Sequence, residues 1–368
     1  MKKILIGVCG IGNGHVNRQK LVIEYLLQYD VDVVLALTEN SYKYFNHIYP
    51  HLKKVLIYVP WIFCNNQGID FENTRKKYIH DGVDKFEKFL SSSIEIQKAF
   101  DGEKPDLVMT DYEPNVAQFA YAVNCPLICL DQHSKFLNLN AEIINDFSIN
   151  IEISRLLYFF PKADKRYVSS FFEINDCHAF KIEVLPPIIK DIERISIKKN
   201  KVVVYFSPYT NEPKTYTKVL ELIKDYVDYE FYVYTDIDFC DYYCFHNLKF
   251  RKIGSEFDLD LMDCYFIIST AGHQLISEAI YLEIPLLIFP LDTFDQNYCC
   301  YMVQKLKFGK QLYNFNKSEW DDFIKNIDLY KFNMKEYREH HWGKKWNEVL
   351  FGKLEKEFGI KKRIGIHN

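Results

Sequence analysis

Two short segments carry residue types suited to group transfer. "GVCGIGNGHVNR" spans residues 7–18, directly after the apolar run "KILI". Gly10, Gly12 and Gly14 alternate with other residues, and His15 and Arg18 follow. An imidazole near neutral pH can take a proton from a hydroxyl. Glycines let the backbone turn tightly and leave room for a ligand beside a helix N-terminus. The second segment, "STAGHQLISEAIYLEIPLLIFPLDTFDQNYCC", spans residues 269–300. A small-residue turn there precedes a helix that starts near His273. The first N–H groups of a helix carry roughly +0.5 charge and suit a diphosphate. Glu278, within two turns, can accept hydrogen bonds from two vicinal ribose hydroxyls. Asp295 and Gln296 follow the next apolar run and can read sugar hydroxyls.

Each feature also has a plainer reading. Gly10–Gly14 can make a tight turn that His15 caps, and Glu278 can be a solvated surface carboxylate. A dinucleotide fingerprint wants G-x-G-x-x-G, but the third position holds His15, although Glu39 could imitate the ribose-binding acid. There is no G-K-[ST] for a P-loop. Asp258, Asp260 and Asp263 in "EFDLDLMDC" suggest a metal, yet Leu259, Leu261 and Met262 read as packing residues, so no metal site is expected there. His133 ends a strand and either lines a site or packs. The ten cysteines form no pair of C-x-x-C motifs and read as reduced, mostly buried thiols.

The elements that must position these residues alternate. "KKILIGVC" is a strand and "GHVNRQKLVIEYLLQYD" a helix whose Val16, Leu21, Tyr25 and Leu26 share a face. "VDVVLALT" is the next strand. "PDLVMTD" and "CPLICLD" flank the helical "NVAQFAYAV". The grammar restarts at "KVVVYFS", followed by "YTKVLELIKDY", "YEFYVYTD", "CYFIIST", "HQLISEAIYL" and "PLLIFP". This is parallel α/β organisation, with a linker near 186–200 and room in 368 residues for two domains. "SRLLYFFPKADKRYVSSFF" (154–172) reads as one helix with apolar and basic faces. "MKEYREHHWGKKWNEVLFGKLEKEF" reads as one long final helix bearing His340 and His341 beside Trp342. A net charge of −4 gives no basic field to recruit nucleic acid. No apolar run reaches membrane-spanning length, and the first apolar run is too short for a signal peptide.

The 269–296 pattern resembles the donor half of GT-B glycosyltransferases, in particular the MurG-like N-acetylglucosaminyltransferases and the UDP-glycosyltransferases. The strand, glycine loop and "GH" opening agrees, as does "PDLVMTDYEPNVAQFAYAVNCPLICLDQHS" with Asp111 at a strand end. The resemblance implies two Rossmann-like parallel-sheet domains facing a central cleft. Residues 1–188, completed by the helix at about 336–368, would bind the acceptor; residues 189–335 would bind the donor. Carried over, Gly272, His273 and Gln274 hold the diphosphate, Glu278 the ribose, and Asp295 and Gln296 the donor sugar. His15 is the base, Asp111 its orienting partner, and Gly12, Asn13, Gly14, Arg18 and His133 line the acceptor side. The sequence departs from the pattern at His273, at Cys299–Cys300, and at Leu275 and Ile276, where a phosphate-binding hydroxyl is missing. The implied reaction moves a hexose from a UDP-linked sugar to a glycan, lipid-linked or small-molecule acceptor in bacterial cell-surface glycan synthesis. The nucleotide sugar is a co-substrate, and no cofactor or metal is needed. The implied place is the cytoplasm, with peripheral membrane contact through the aromatic and basic residues 155–172 (Arg155, Lys162, Lys165, Arg166). A nucleotide-sugar hydrolase sharing the "GH-x-x-R" segment is the alternative. A non-catalytic nucleotide-sugar-binding subunit and an NAD(P) oxidoreductase stand further off.

Overall fold

The computed structural model describes residues 1–368 except 11–12, 59–63, 66–67, 82, 140–146, 208–213, 238, 240–244, 255, 292 and 364–368. The chain forms two compact units, Met1–Ile188 with Lys344–Asn368, and Ile189–Gly343.

The first unit runs β1 (Lys2–Val8), α1 (Asn13–Leu26), β2 (Val31–Leu37), α2 (Glu39–Ile48), β3 (Lys53–Leu56), a small hairpin β4 (Cys64–Asn65) and β5 (Gly68–Ile69), α3 (Phe71–Asp81), α4 (Val83–Ala99), β6 (Leu107–Asp111), α5 (Pro114–Ala122), β7 (Leu127–Asp131), α6 (Phe147–Phe159), β8 (Lys165–Ser169) and β9 (Ile182–Leu185). Its seven-stranded parallel sheet has the order β3-β2-β1-β6-β7-β8-β9. Ile4, Leu5, Ile6 and Val8 are all buried, as a parallel strand covered on both faces requires.

The second unit runs β10 (Lys201–Tyr205), α7 (Lys214–Ile223), β11 (Glu230–Tyr234), β12 (Leu248–Arg251), α8 (Glu256–Asp263), β13 (Phe266–Thr270), α9 (His273–Tyr281), β14 (Leu286–Phe289), α10 (Phe294–Lys305), β15 (Gly309–Gln311), α11 (Lys317–Lys325) and α12 (Ile327–His341). Its parallel sheet has the order β12-β11-β10-β13-β14-β15. The last helix, α13 (Trp346–Phe358), packs Trp346, Leu350, Phe351 and Leu354 into the core of the first unit. The Phe351 ring stacks on Tyr29 there.

Strand order reverses beside the first strand of each sheet: β1 lies between β2 and β6, and β10 between β11 and β13. Open α/β sheets take ligands at the carboxyl ends of the strands at such a switch. The loops after β1 and β6, and after β10 and β13, are therefore where polar side chains are available for chemistry.

Several sequence readings are corrected. Residues 154–172 are not one helix: α6 ends at Phe159, and Lys165–Ser169 form β8. Pro161 has no N–H to continue the helix and disfavours helical backbone before it. The basic face offered to a membrane is thereby dispersed. Arg166 is buried with its guanidinium on the Phe160 carbonyl, and Lys165 pairs with Glu183 and Glu357. Among the described residues no helix is long and apolar enough to cross a membrane. The final helical pattern is two helices, broken at 342–345 around Gly343, so His340 and His341 end α12. On α1 the buried stripe is Val16, Arg18, Gln19, Val22, Ile23 and Leu26, with Leu21 and Tyr25 at its margin. Leu261 packs as expected, but Leu259 is 60% exposed.

Candidate active site

The first cluster forms where β1 meets β6. Val8 is in register with Asp111, and Cys9 N donates to the Asp111 carbonyl at 3.1 Å. Gly10 permits the chain to leave β1 here, because a Cβ at Gly10 would lie 2.0 Å from Thr38 Oγ1. Asn13 and Gly14 begin α1, and His15 faces Asp111 with Nδ1 2.8 Å from Oδ1. With Nδ1–H spent on the carboxylate, Nε2 is the nitrogen left for a substrate. Burial alone would raise the Asp111 carboxyl. The charges and hydrogen bonds of Arg18 and His15 overcome it and hold Asp111 well below the usual carboxylate range, so it is ionised.

Ring faces surround the imidazole. His133 stacks on His15 at 5.6 Å and 8°, and Tyr112 lies 4.3 Å from His133. Tyr112 holds φ 55°, and its hydroxyl donates to Glu152 Oε1 at 2.5 Å. A bulky residue in the left-handed region directly after Asp111 is local strain of the kind found at functional sites.

One buried carboxyl sits close by with a different task. Glu113 accepts from Asn115 N, Asn115 Nδ2 and Val116 N and so caps α5. Burial pushes its carboxyl up to about 7, against these hydrogen bonds. A raised folded-state value means the contribution to stability is complete below the unfolded value near 4.5 and is lost as pH climbs through about 7. Denaturant melts should show wild type losing on the order of 3 kcal/mol across that window. Glu113→Gln should flatten that part of the curve; parallel pH profiles for the two proteins would refute the assignment.

The second cluster forms after β13. Gly272 is the N-cap of α9, at φ −70°, and a Cβ built on it meets nothing within 4 Å among the described residues. The Gly272 N–H itself donates to the Thr270 carbonyl at 2.9 Å, so it is already spent within the chain. The helix begins at His273, and N–H groups of a first turn have no acceptor within the helix. Glu278 is 8% exposed, which rules out a solvated carboxylate. Gln274 Nε2 donates to its Oε1 at 3.1 Å, and burial raises its carboxyl above the ordinary value. Leu275 and Ile276, the positions without a hydroxyl, are buried in packing. Asp295 and Gln296 lie in the first turn of α10; Gln296 Oε1 accepts from Leu291 N at 2.9 Å.

The structure thus brings His15, Asp111 and His133 together in one unit, and Gly272, His273, Gln274 and Glu278 along one helix of the other. Gly12 lies outside the described residues. Arg18, expected on the acceptor side, is fully buried on Asp111 instead. Gln19 joins it, donating from Nε2 to Asp111 Oδ2 at 2.9 Å. Arg18 and Gln19 follow His15 by three and four residues, a spacing that puts all three on one helix face. That signal was available in the sequence. Ser269, whose buried Oγ has no hydrogen-bond partner among the described residues, is a further polar group at the β13 end that the sequence reading passed over. The acid run is spent on cations: Asp258 on Lys190, Asp260 on Lys201 and Arg251, Asp263 on Lys198 and Lys201.

Two parallel α/β units, each with polar residues at the carboxyl edge of a strand-order switch, define the GT-B class of glycosyltransferase. The chain belongs to glycosyl transferase family 1, whose family model matches residues 2–328. No curated protein matches it significantly in sequence. Solved structures share the fold at low identity. The glycotransferase of kitacinnamycin is 12% identical with a TM-score of 0.68, covering 96% of this chain and 98% of that one. Arabidopsis thaliana UGT89C1 complexed with UDP-L-rhamnose is 13% identical with a TM-score of 0.65, at 97% and 99% coverage. Phytolacca americana UGT2 complexed with UDP-2-fluoro-glucose and pterostilbene is 12% identical with a TM-score of 0.69, at 98% and 100% coverage. This likeness shows the fold and does not single out the MurG-like branch. Family membership makes the protein a glycosyltransferase, displaces the oxidoreductase and binding-subunit readings, and favours transfer over hydrolysis.

Proposed function

We propose that the enzyme moves a hexose from a UDP-linked sugar to an acceptor hydroxyl without a metal ion or further cofactor. The observation that carries this reading is the 2.8 Å His15–Asp111 pair at the carboxyl edge of the first sheet. The acceptor oxygen bonds to the anomeric carbon as the bond from that carbon to the diphosphate breaks. The hydroxyl proton passes to His15 Nε2, and Asp111 orients the ring and balances the imidazolium. The departing diphosphate gains charge, which fixed N–H dipoles at the start of α9 stabilise. Glu278 holds the ribose, and Asp295 and Gln296 the sugar. Pairing of Asp258, Asp260 and Asp263 with cations supports a metal-independent route, since each carboxylate already has a partner. The complexes of UGT89C1 with UDP-L-rhamnose and of UGT2 with UDP-2-fluoro-glucose and pterostilbene support a uridine nucleotide and a small acceptor. The ring faces of Tyr112 and His133 suit the apolar face of a pyranose, as a glycan or lipid-linked acceptor of cell-surface synthesis would offer.

Thermal shift against nucleoside diphosphates and their sugars tests the donor. A ligand at 100 times its Kd adds about 2.7 kcal/mol, so UDP should raise the melting temperature where other diphosphates do not. Glu278→Ala should weaken UDP by on the order of 10–100-fold, the loss of hydrogen bonds to a charged group. The ligand-free protein should melt nearly as before. Unchanged UDP affinity in that variant would remove Glu278 from the ribose.

A further inference from the structure

An arginine buried beside an imidazole is costly unless both share an anion. Asp111 is that anion, and its carboxylate is saturated. Oδ1 accepts from His15 Nδ1 and from Arg18 Nη2 at 2.7 Å; Oδ2 accepts from Arg18 Nε and Gln19 Nε2, both at 2.9 Å. Gln19 Nε2 also reaches the Leu130 carbonyl at 3.3 Å, tying the arrangement to β7. Arg18 Nη2 lies 3.2 Å from His15 Nδ1. Guanidinium has no lone pair to offer. That approach therefore sets a fixed positive charge against the ring.

We propose that Arg18 is a positioning residue of the transfer site: its two-pronged grip fixes the Asp111 carboxylate, which in turn holds the His15 ring with Nε2 open to take the acceptor proton. Without the fork, Asp111 would keep only Gln19 Nε2 and the imidazole itself as partners, and the ring it orients would lose its fixed place. The inference rests on His15 as the base.

The test is a double-mutant cycle read in turnover, with UDP release as the readout and a UDP titration beside it. Arg18→Lys, which keeps the charge and loses the fork, should lower kcat on the order of 10-fold while UDP affinity stays as in wild type. In the His15→Ala background the same substitution should cost nothing further, because Arg18 acts through the ring. Should Arg18→Lys not fold, Arg18→Gln/Asp111→Asn, which leaves no buried charge unpaired, takes its place in the cycle. An unchanged kcat in Arg18→Lys overturns the proposal, and so does an equal loss with and without His15, since lost packing would then be the cause. Full turnover by His15→Ala overturns the base reading and this inference with it, whereas a lost kcat in His15→Ala beside a normal one in Arg18→Lys overturns the inference alone.

Discussion

His15→Ala is expected to cut turnover by about 10²–10⁴-fold, the usual worth of a positioned base, while UDP binds as in wild type. The two effects separate because the residues lie on different units: His15 in the first, α9 with Glu278 in the second. The substitution is mild for the fold. Alanine is the best helix former, and His15 is in the first turn of α1. Arg18 and Gln19 keep three hydrogen bonds to Asp111 after the ring is gone, so the carboxylate stays paired. The loss should therefore appear in kcat, with the acceptor and donor KM values little changed, as for an interaction made mainly in the transition state. Steady-state kinetics with UDP release as readout, beside a UDP titration, decides it. Full turnover removes His15 from the mechanism. Equal loss of UDP affinity would mean that the variant is damaged elsewhere.

What was legible in the sequence follows from how local its cause is. The apolar runs of β1, β2, β6, β7, β10, β11, β13 and β14 announced themselves, because a strand covered on both faces reads as uninterrupted hydrophobic sequence. The two polar segments were legible for the same reason: each directly follows such a strand. Elements with mixed composition were not read. β3 is Lys-Lys-Val-Leu and β15 is Gly-Lys-Gln, both sheet edges, where the alternation signal is weakest. The stretch 154–172 failed because its basic residues are spent inside the fold: Lys165 pairs with Glu357, far along the chain, and Arg166 reaches back across Pro161 to the Phe160 carbonyl. The final helix failed because one glycine between two strong helical patterns was not given its breaking power. At the site, the pairing of His15 with Asp111 came from resemblance; no spacing rule joins residues 96 apart. Arg18 shows the limit best. Its place on the helix face was readable, but that the face meets a buried carboxylate rather than a ligand depends on the β1–β6 register, which only the fold supplies.

Lys201→Met should destabilise the second unit by about 3 kcal/mol, the low end for breaking a buried ion pair, because Asp260 keeps Arg251 and Asp263 keeps Lys198, and lower its melting temperature on the order of 10 °C. Lys201 opens β10, the strand at the switch of the second unit's sheet, and is 6% exposed. Its ammonium sits between Asp260, at 2.7 Å, and Asp263. Burial alone would lower the Lys201 ammonium and raise the Asp263 carboxyl. The ion pairs reverse both, so Lys201 is held above its ordinary value and Asp263 below. A depressed carboxyl contributes stability above its unfolded range and loses it as pH falls. The gap between variant and wild type should therefore be widest near neutral pH and close as pH drops below about 4 and through the depressed Asp263 range, where that carboxyl protonates and no longer needs a cation. Lys201→Met/Asp260→Asn/Asp263→Asn should recover part of the loss at neutral pH, since it removes the under-paired charges along with their partner. A metal-ligand role for the same acids predicts the reverse: carboxylates that await a divalent ion gain nothing from a lysine between them, and Lys201→Met would then melt no lower than wild type.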